Sequence, residues 1–205
     1  MTNILSLIAT VSIIYIVVCF VYGMALMARK YMKKLPVELI VVVFSVLVFL
    51  CMEVLVSPHK FEVLNMSHLV SSNILSVFFF GVFLDVLVKT NGYIEVSNKN
   101  VVYYVLSRAV PEFLISQNLL WYMLHNLNYD YSVGITLNVM LWCLIMIQGD
   151  IYYKCSKRTI IYHCLDVIIQ LSAGGYLYLV SGNILLPIVL VVCSTLIVES
   201  RRNLN

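Results

Sequence analysis

Seven apolar runs, near residues 4–27, 36–56, 66–88, 101–124, 132–149, 159–180 and 183–199, take up most of this 205-residue chain. Each approaches the roughly 20 helical residues that cross a hydrocarbon core about 30 Å thick at about 1.5 Å per residue. The loops between them are short, so there is no room for a soluble catalytic domain, and residues 1–205 read as a single integral membrane domain. The expected fold is all-α, a polytopic transmembrane helical bundle of about seven spans. A hydrophobic content of 62% and a mean hydropathy of +0.97 agree with it.

Charge sets the expected orientation. No basic residue precedes the first run, and Arg29, Lys30, Lys33 and Lys34 follow it, the reverse of a secretory signal. The run is therefore expected to be retained, with the N-terminus outside. From there the loops assigned to the cytoplasm carry those four with Lys89, Lys99, Lys154, Lys157, Arg158, Arg201 and Arg202, and the outer loops carry only Lys60. That asymmetry holds at every crossing and predicts an odd number of spans with the C-terminus in the cytoplasm. The expected location is a bacterial cytoplasmic membrane. The formal net charge of +3 then reports membrane orientation, and nucleic acid is not an expected partner.

Pro36 opens the second run, where a missing amide donor costs nothing. Ser57-Pro58-His59 and Lys89-Thr90-Asn91-Gly92 read as turns. Tyr103, Tyr104, Tyr152 and Tyr153 fall at inner boundaries, and Trp121, Tyr122, Tyr129, Tyr131, Tyr176 and Tyr178 toward the outer one, as two aromatic belts. Of the six cysteines, Cys19, Cys51, Cys143, Cys164 and Cys193 lie in apolar runs and Cys155 in a cytoplasmic loop. No zinc-type spacing occurs, so they read as small packing residues. His59 and His68 with Glu62 lack a third imidazole or thiolate partner and read as interfacial; no metal or cofactor is expected. Glu53 sits at an outer edge, and Glu38 and Glu199 at inner helix ends, within reach of water. Ser172-Ala173-Gly174-Gly175 is either a close-packing helix face or a gap that admits a ligand.

The remaining ionisable residues inside the runs share one half of the bilayer. Arg108 and Asp166 each lie about 12 Å in from the basic residues Lys99 and Arg158 at the inner ends of their helices. Arg108 and Glu112 are four apart and share a face, as do His163, Asp166 and Gln170. Asp85 and Gln148 enter from the inner ends of the third and fifth runs, with Asn138 deeper, so that these groups can line one pocket open to the cytoplasm. Charges in hydrocarbon are costly and mark candidate sites. On one reading Arg108 pairs with Asp166 or Asp85 to fix helix register, leaving Glu112 as a second partner or a protonated acid. On the other, Glu112 is a general base or ligand-binding carboxylate with His163 as its acid–base partner, helped by Pro111, which loosens the helix and frees a carbonyl.

Val110-Pro111-Glu112-Phe113-Leu114-Ile115-Ser116-Gln117, Leu144-Ile145-Met146-Ile147-Gln148 and Gly174 through Ile188, with its Gly182-Asn183-Ile184-Leu185-Leu186-Pro187-Ile188 run, fall in a familiar order and spacing. Over residues 101–199 the chain resembles the membrane protease family of the CAAX prenyl endopeptidases and the bacteriocin-processing or self-immunity proteins. That family has a double glutamate followed by arginine, a phenylalanine–histidine pair, and a last helix with histidine and asparagine. This chain keeps Glu112 but has Phe113, Gln117, Gln148, Val191 and Thr195 at the other positions. The resemblance implies a pseudoenzyme on a protease scaffold that binds a peptide, a lipid or a partner helix. The expected function is an accessory subunit of a membrane complex or a bacteriocin-immunity factor, in contact with membrane lipid and a membrane-protein or peptide partner. An intramembrane hydrolase using Glu112 and His163 is the alternative, and a small transporter component the third.

Overall fold

The structure, a computed structural model, describes residues 2–32, 35–56, 72–92, 101–127 and 129–202. The predicted turn at Ser57-Pro58-His59 and the residues Lys60, Glu62, His68 and Lys99 lie outside them, as do the side chains of Glu53, Tyr103 and Tyr104. All described elements are helical: α1 (Thr2–Tyr31), α2 (Val37–Val56), α3 (Ser72–Gly92), α4 (Val101–Val110), a π-helical segment (Pro111–Gln117), α5 (Asn118–Asn126), α6 (Tyr131–Tyr152), α7 (Lys157–Ser181) and α8 (Leu185–Arg202). Each expected apolar run thus carries helix. Among the described residues four helices are long and apolar enough to cross a membrane: Leu5–Tyr31, Asn73–Gly92, Tyr131–Tyr152 and Lys157–Ser181.

α4, the π segment and α5 follow one another without a break, and the residues flanking the π segment, Val110 and Asn118, keep right-handed helical dihedrals. Pro111 explains the irregularity. It has no amide proton to give the carbonyl of Ser107 one turn back, and its ring crowds that carbonyl. The Ser107 carbonyl instead accepts from the Tyr22 hydroxyl of α1 at 3.2 Å. The π segment sits at the middle of the bundle, in contact with α1, α2, α6 and α7. Its Ile115 packs with Val21, Ala25, Ile40 and Val41 of α1 and α2. α7 in turn packs against α3, α6 and α8.

α3 runs to Gly92, so the expected turn at Lys89-Thr90-Asn91-Gly92 is corrected to the last turn of a helix. Thr90 and Asn91 have the composition of a turn, yet their side chains bond back along the helix, donating to the carbonyls of Val86 and Leu87 at 2.7 and 2.9 Å. α7 ends where expected. Gly182 takes a left-handed conformation (φ 64°) and donates to the Tyr178 carbonyl, and Asn183 accepts from the Leu185 amide to start α8.

The small-residue stretch divides its duties. At Gly174 an added Cβ would lie 2.5 Å from Phe113 Cζ and 2.9 Å from Pro187 Cβ, and at Gly175 2.9 Å from Ile135 Cγ1, so these two positions are close-packing contacts. Gly174→Ala should therefore destabilise the protein by about 1–3 kcal/mol through overpacking. Gly149, where nothing lies within 4 Å of an added Cβ, should accept alanine with no loss. Thermal unfolding of the two purified variants side by side checks this; equal midpoints would refute the close contact. Ser172 and Ala173 instead line a groove of about 500 Å³ between α3 and α7, with Phe80, Gly81 and Tyr176 among the other walls.

Large apolar side chains stand on the outside of several helices: Ile16 and Phe20 on α1, Leu47 on α2, Phe79 and Phe83 on α3, Leu144 on α6 and Leu196 on α8 are all exposed. Tyr152 and Tyr153 stand out at the end of α6. Trp121 and Tyr178, expected in an outer aromatic belt, are instead stacked on each other between α5 and α7, with centroids 4.6 Å apart and rings within 9° of parallel. Tyr178 is buried because that stack and the edge of Tyr131 against Trp121 fill space between helices.

Candidate functional site

Asp85 and Lys89 lie one turn apart on α3, and Arg108 and Glu112 lie one turn apart across the junction of α4 and the π segment. α7 brings Asp166 between the two pairs. Lys89 Nζ lies 2.7 Å from Asp85 Oδ2 and 3.8 Å from Asp166 Oδ1; Arg108 donates through Nε to Glu112 Oε1 at 2.9 Å and through Nη1 to Asp166 Oδ2 at 2.7 Å. Five charged groups from three helices and the π segment thus form one network. Arg108 pairs with Asp166 and Glu112 together, and Asp85 belongs to Lys89.

Neutral groups complete the shell. Gln170, one turn beyond Asp166, donates to Asp166 Oδ1 at 2.8 Å and reaches Asp85 Oδ1 at 3.2 Å. Ser194 of α8 donates to Asp85, and Lys89 donates to Thr195 Oγ1 at 2.8 Å and to Ser194 Oγ at 3.2 Å. The three ammonium protons of Lys89 therefore all have acceptors, which makes burial of that lysine tolerable. The Thr195 hydroxyl thus serves as an acceptor for the buried lysine. Asp85, Glu112, Asp166 and Gln170 are fully buried, Lys89 is 4% exposed and the Arg108 side chain 14%, so the expected open pocket is instead a largely buried core.

A second polar cluster continues from the π segment toward α6. The Glu112 carbonyl lies 2.6 Å from Ser116 Oγ and 3.3 Å from Asn138 Nδ2. Asn138 also donates to Gln117 Oε1 at 2.7 Å, and Trp142 Nε1 donates to Ser116 Oγ at 2.9 Å. Ser116 Oγ is within 2.7 Å of Asn138 Oδ1 as well, and its single proton can serve only one of its two acceptors at a time. Cross-helix hydrogen bonds of this kind hold a widened helical turn that its own backbone leaves short of partners.

Two of the sequence-derived candidates lie apart from the network. Gln148 is exposed and accepts from the Tyr15 hydroxyl of α1 at 3.2 Å. His163 turns its Nδ1 to both oxygens of Asp150, at 2.8 and 2.9 Å, so its carboxylate partner is Asp150 and not Glu112. On α7, Asp166 and Gln170 point to α3 while His163, seven residues before Gln170, meets the end of α6. Glu199, expected to be solvated, is buried at 7% exposure. Lys89, Asp150, Ser194 and Thr195 are the participants that sequence reasoning passed over. The four-residue spacing of Asp85 and Lys89 was the one legible signal, and it was hidden by ending the third run at residue 88.

An apolar exterior around a largely buried, charge-paired centre is the arrangement of a membrane-embedded helical bundle, in which polar side chains turn inward away from lipid. Compared with known proteins, the chain matches no family model, no curated protein and no solved structure.

Proposed function

We propose that this chain is a non-catalytic integral membrane protein of seven spans, N-terminus outside and C-terminus in the cytoplasm, in a bacterial cytoplasmic membrane. It works by binding as an accessory subunit of a membrane complex, on a scaffold akin to the CAAX-type and bacteriocin-processing proteases; peptide immunity is a variant of the same binding role. The basic residues gathered on one set of loops support the orientation. One observation carries the non-catalytic reading: the two groups a hydrolase would need are each engaged elsewhere, Glu112 fully buried on Arg108 and His163 on Asp150. A general base must come within hydrogen-bond reach of the proton it removes, and Glu112 has no open face toward a substrate.

The test is purification from the native membrane in mild detergent through an affinity tag, followed by intact-mass analysis of what is bound. A second integral membrane polypeptide in fixed stoichiometry is expected. A chain that emerges alone would overturn the subunit reading, and cleavage of a membrane peptide that disappears in Glu112→Gln would establish the hydrolase instead.

A further inference from the structure

The network holds an odd count of charges. Among the described residues, three carboxyl groups, Asp85, Glu112 and Asp166, face two bases, Lys89 and Arg108, which leaves one negative charge in excess if all five are ionised. An uncompensated charge among buried groups is costly, and a bound proton removes it without any rearrangement of the helices.

The hydrogen bonds indicate where that proton resides. Asp85 accepts from Lys89, Ser194 and Gln170, and Asp166 accepts from Arg108 and Gln170. Each oxygen of these two carboxyl groups thus has a donor, an arrangement that favours the ionised form. Glu112 accepts only from Arg108 Nε, through Oε1. Its Oε2, fully enclosed, receives no hydrogen bond, and neither does Oε1 of Gln170 in the same network. Glu112 Oε2 is thus the one oxygen of the three carboxyl groups without a donor, and a proton bound there occupies it.

We propose that Glu112 Oε2 is a proton-binding site, and that the bundle carries one proton there as a neutral carboxylic acid at neutral pH. The groups that face it are Arg108 on its own rod, Asp166 from α7 and Lys89 from α3. α1 and α2 meet the π segment with the apolar Val21, Ala25, Ile40 and Val41, and α6 meets it with Asn138. Loss of the proton leaves the core one charge short of neutral, so proton release requires a cation or water to enter between the helices. The network is in this sense a proton-coupled latch at the centre of the bundle, a property separate from the identity of any partner.

Infrared spectroscopy of the purified full chain in detergent at neutral pH tests it. The expected result is a single carboxylic-acid C=O band, clear of the carboxylate and amide bands, that is lost in Glu112→Gln and kept in His163→Ala. Should Glu112→Gln fail to accumulate, the wild-type protein grown on carboxyl-labelled glutamate gives the same assignment, because the isotope moves the band only if a glutamate carries the proton. Absence of the band, or a band insensitive to glutamate labelling, overturns the proposal. Disappearance of the band when sodium replaces potassium in the buffer also overturns it, by showing that the vacant oxygens take a monovalent cation.

Discussion

Arg108→Met is expected to destabilise the protein by about 3–5 kcal/mol, the scale for removing one member of a buried ion pair. The loss is not mainly that of two hydrogen bonds. Arg108 is the group that bonds Glu112 Oε1 and lies 2.7 Å from Asp166 Oδ2, so the substitution strands two carboxyls in a core whose other base, Lys89, is committed to Asp85. A lysine at this position should recover little, because only a planar guanidinium offers separate Nε and Nη donors to two acids on different helices. The midpoint of thermal unfolding in detergent should fall by roughly 10 °C, following the usual relation between stability and midpoint for a chain of this size. Adding Asp166→Asn to Arg108→Met should restore part of the loss, since it removes one stranded charge. If the single variant unfolds within about 1 kcal/mol of wild type, the network is solvated and the ion-pair account fails.

Lys89→Ala should cost about as much, again about 3–5 kcal/mol. As a loop residue Lys89 would contribute only to the positive-inside bias, and one lysine fewer among eleven basic residues on that side would pass unnoticed. As the last-turn residue of α3 it is 4% exposed and joins that helix to α8 through Thr195 and Ser194 while neutralising Asp85. Its removal brings Asp85 and Asp166 into proximity with only Gln170 between them. Asp85→Asn combined with Lys89→Met should be milder than Lys89→Ala alone, because a pair removed together leaves no orphan charge. The amount of correctly assembled protein in the membrane and its unfolding midpoint both report this. A Lys89→Ala protein that matches wild type in both would return Lys89 to the solvent.

Parts of this network were legible along single helices. Arg108 with Glu112, and Asp166 with Gln170, are one-turn neighbours, and helical spacing alone puts each pair on one face. Pro111 announced its own disturbance, because a proline inside a helix must leave the carbonyl four residues earlier without its amide partner. The hydroxyl that takes that carbonyl, Tyr22, lies 85 residues away, and no local pattern points to it. His163 shows the opposite failure. It shares a face with Asp166 by spacing, yet its imidazole pairs with Asp150 at the end of α6, 2.8 Å from Oδ2.

The sequence by itself determined that the chain is helical and outwardly apolar. Hydrocarbon-length runs leave the backbone no partner but its own helix, and the placement of Gly182 and Asn183 ends one helix and starts the next through local hydrogen bonds. Which acid meets which base was decided only by the tertiary structure. Charges on different helices become neighbours through the order and rotation of those helices around the bundle, and these follow from contacts such as Gly174 on Phe113 that no single helix encodes.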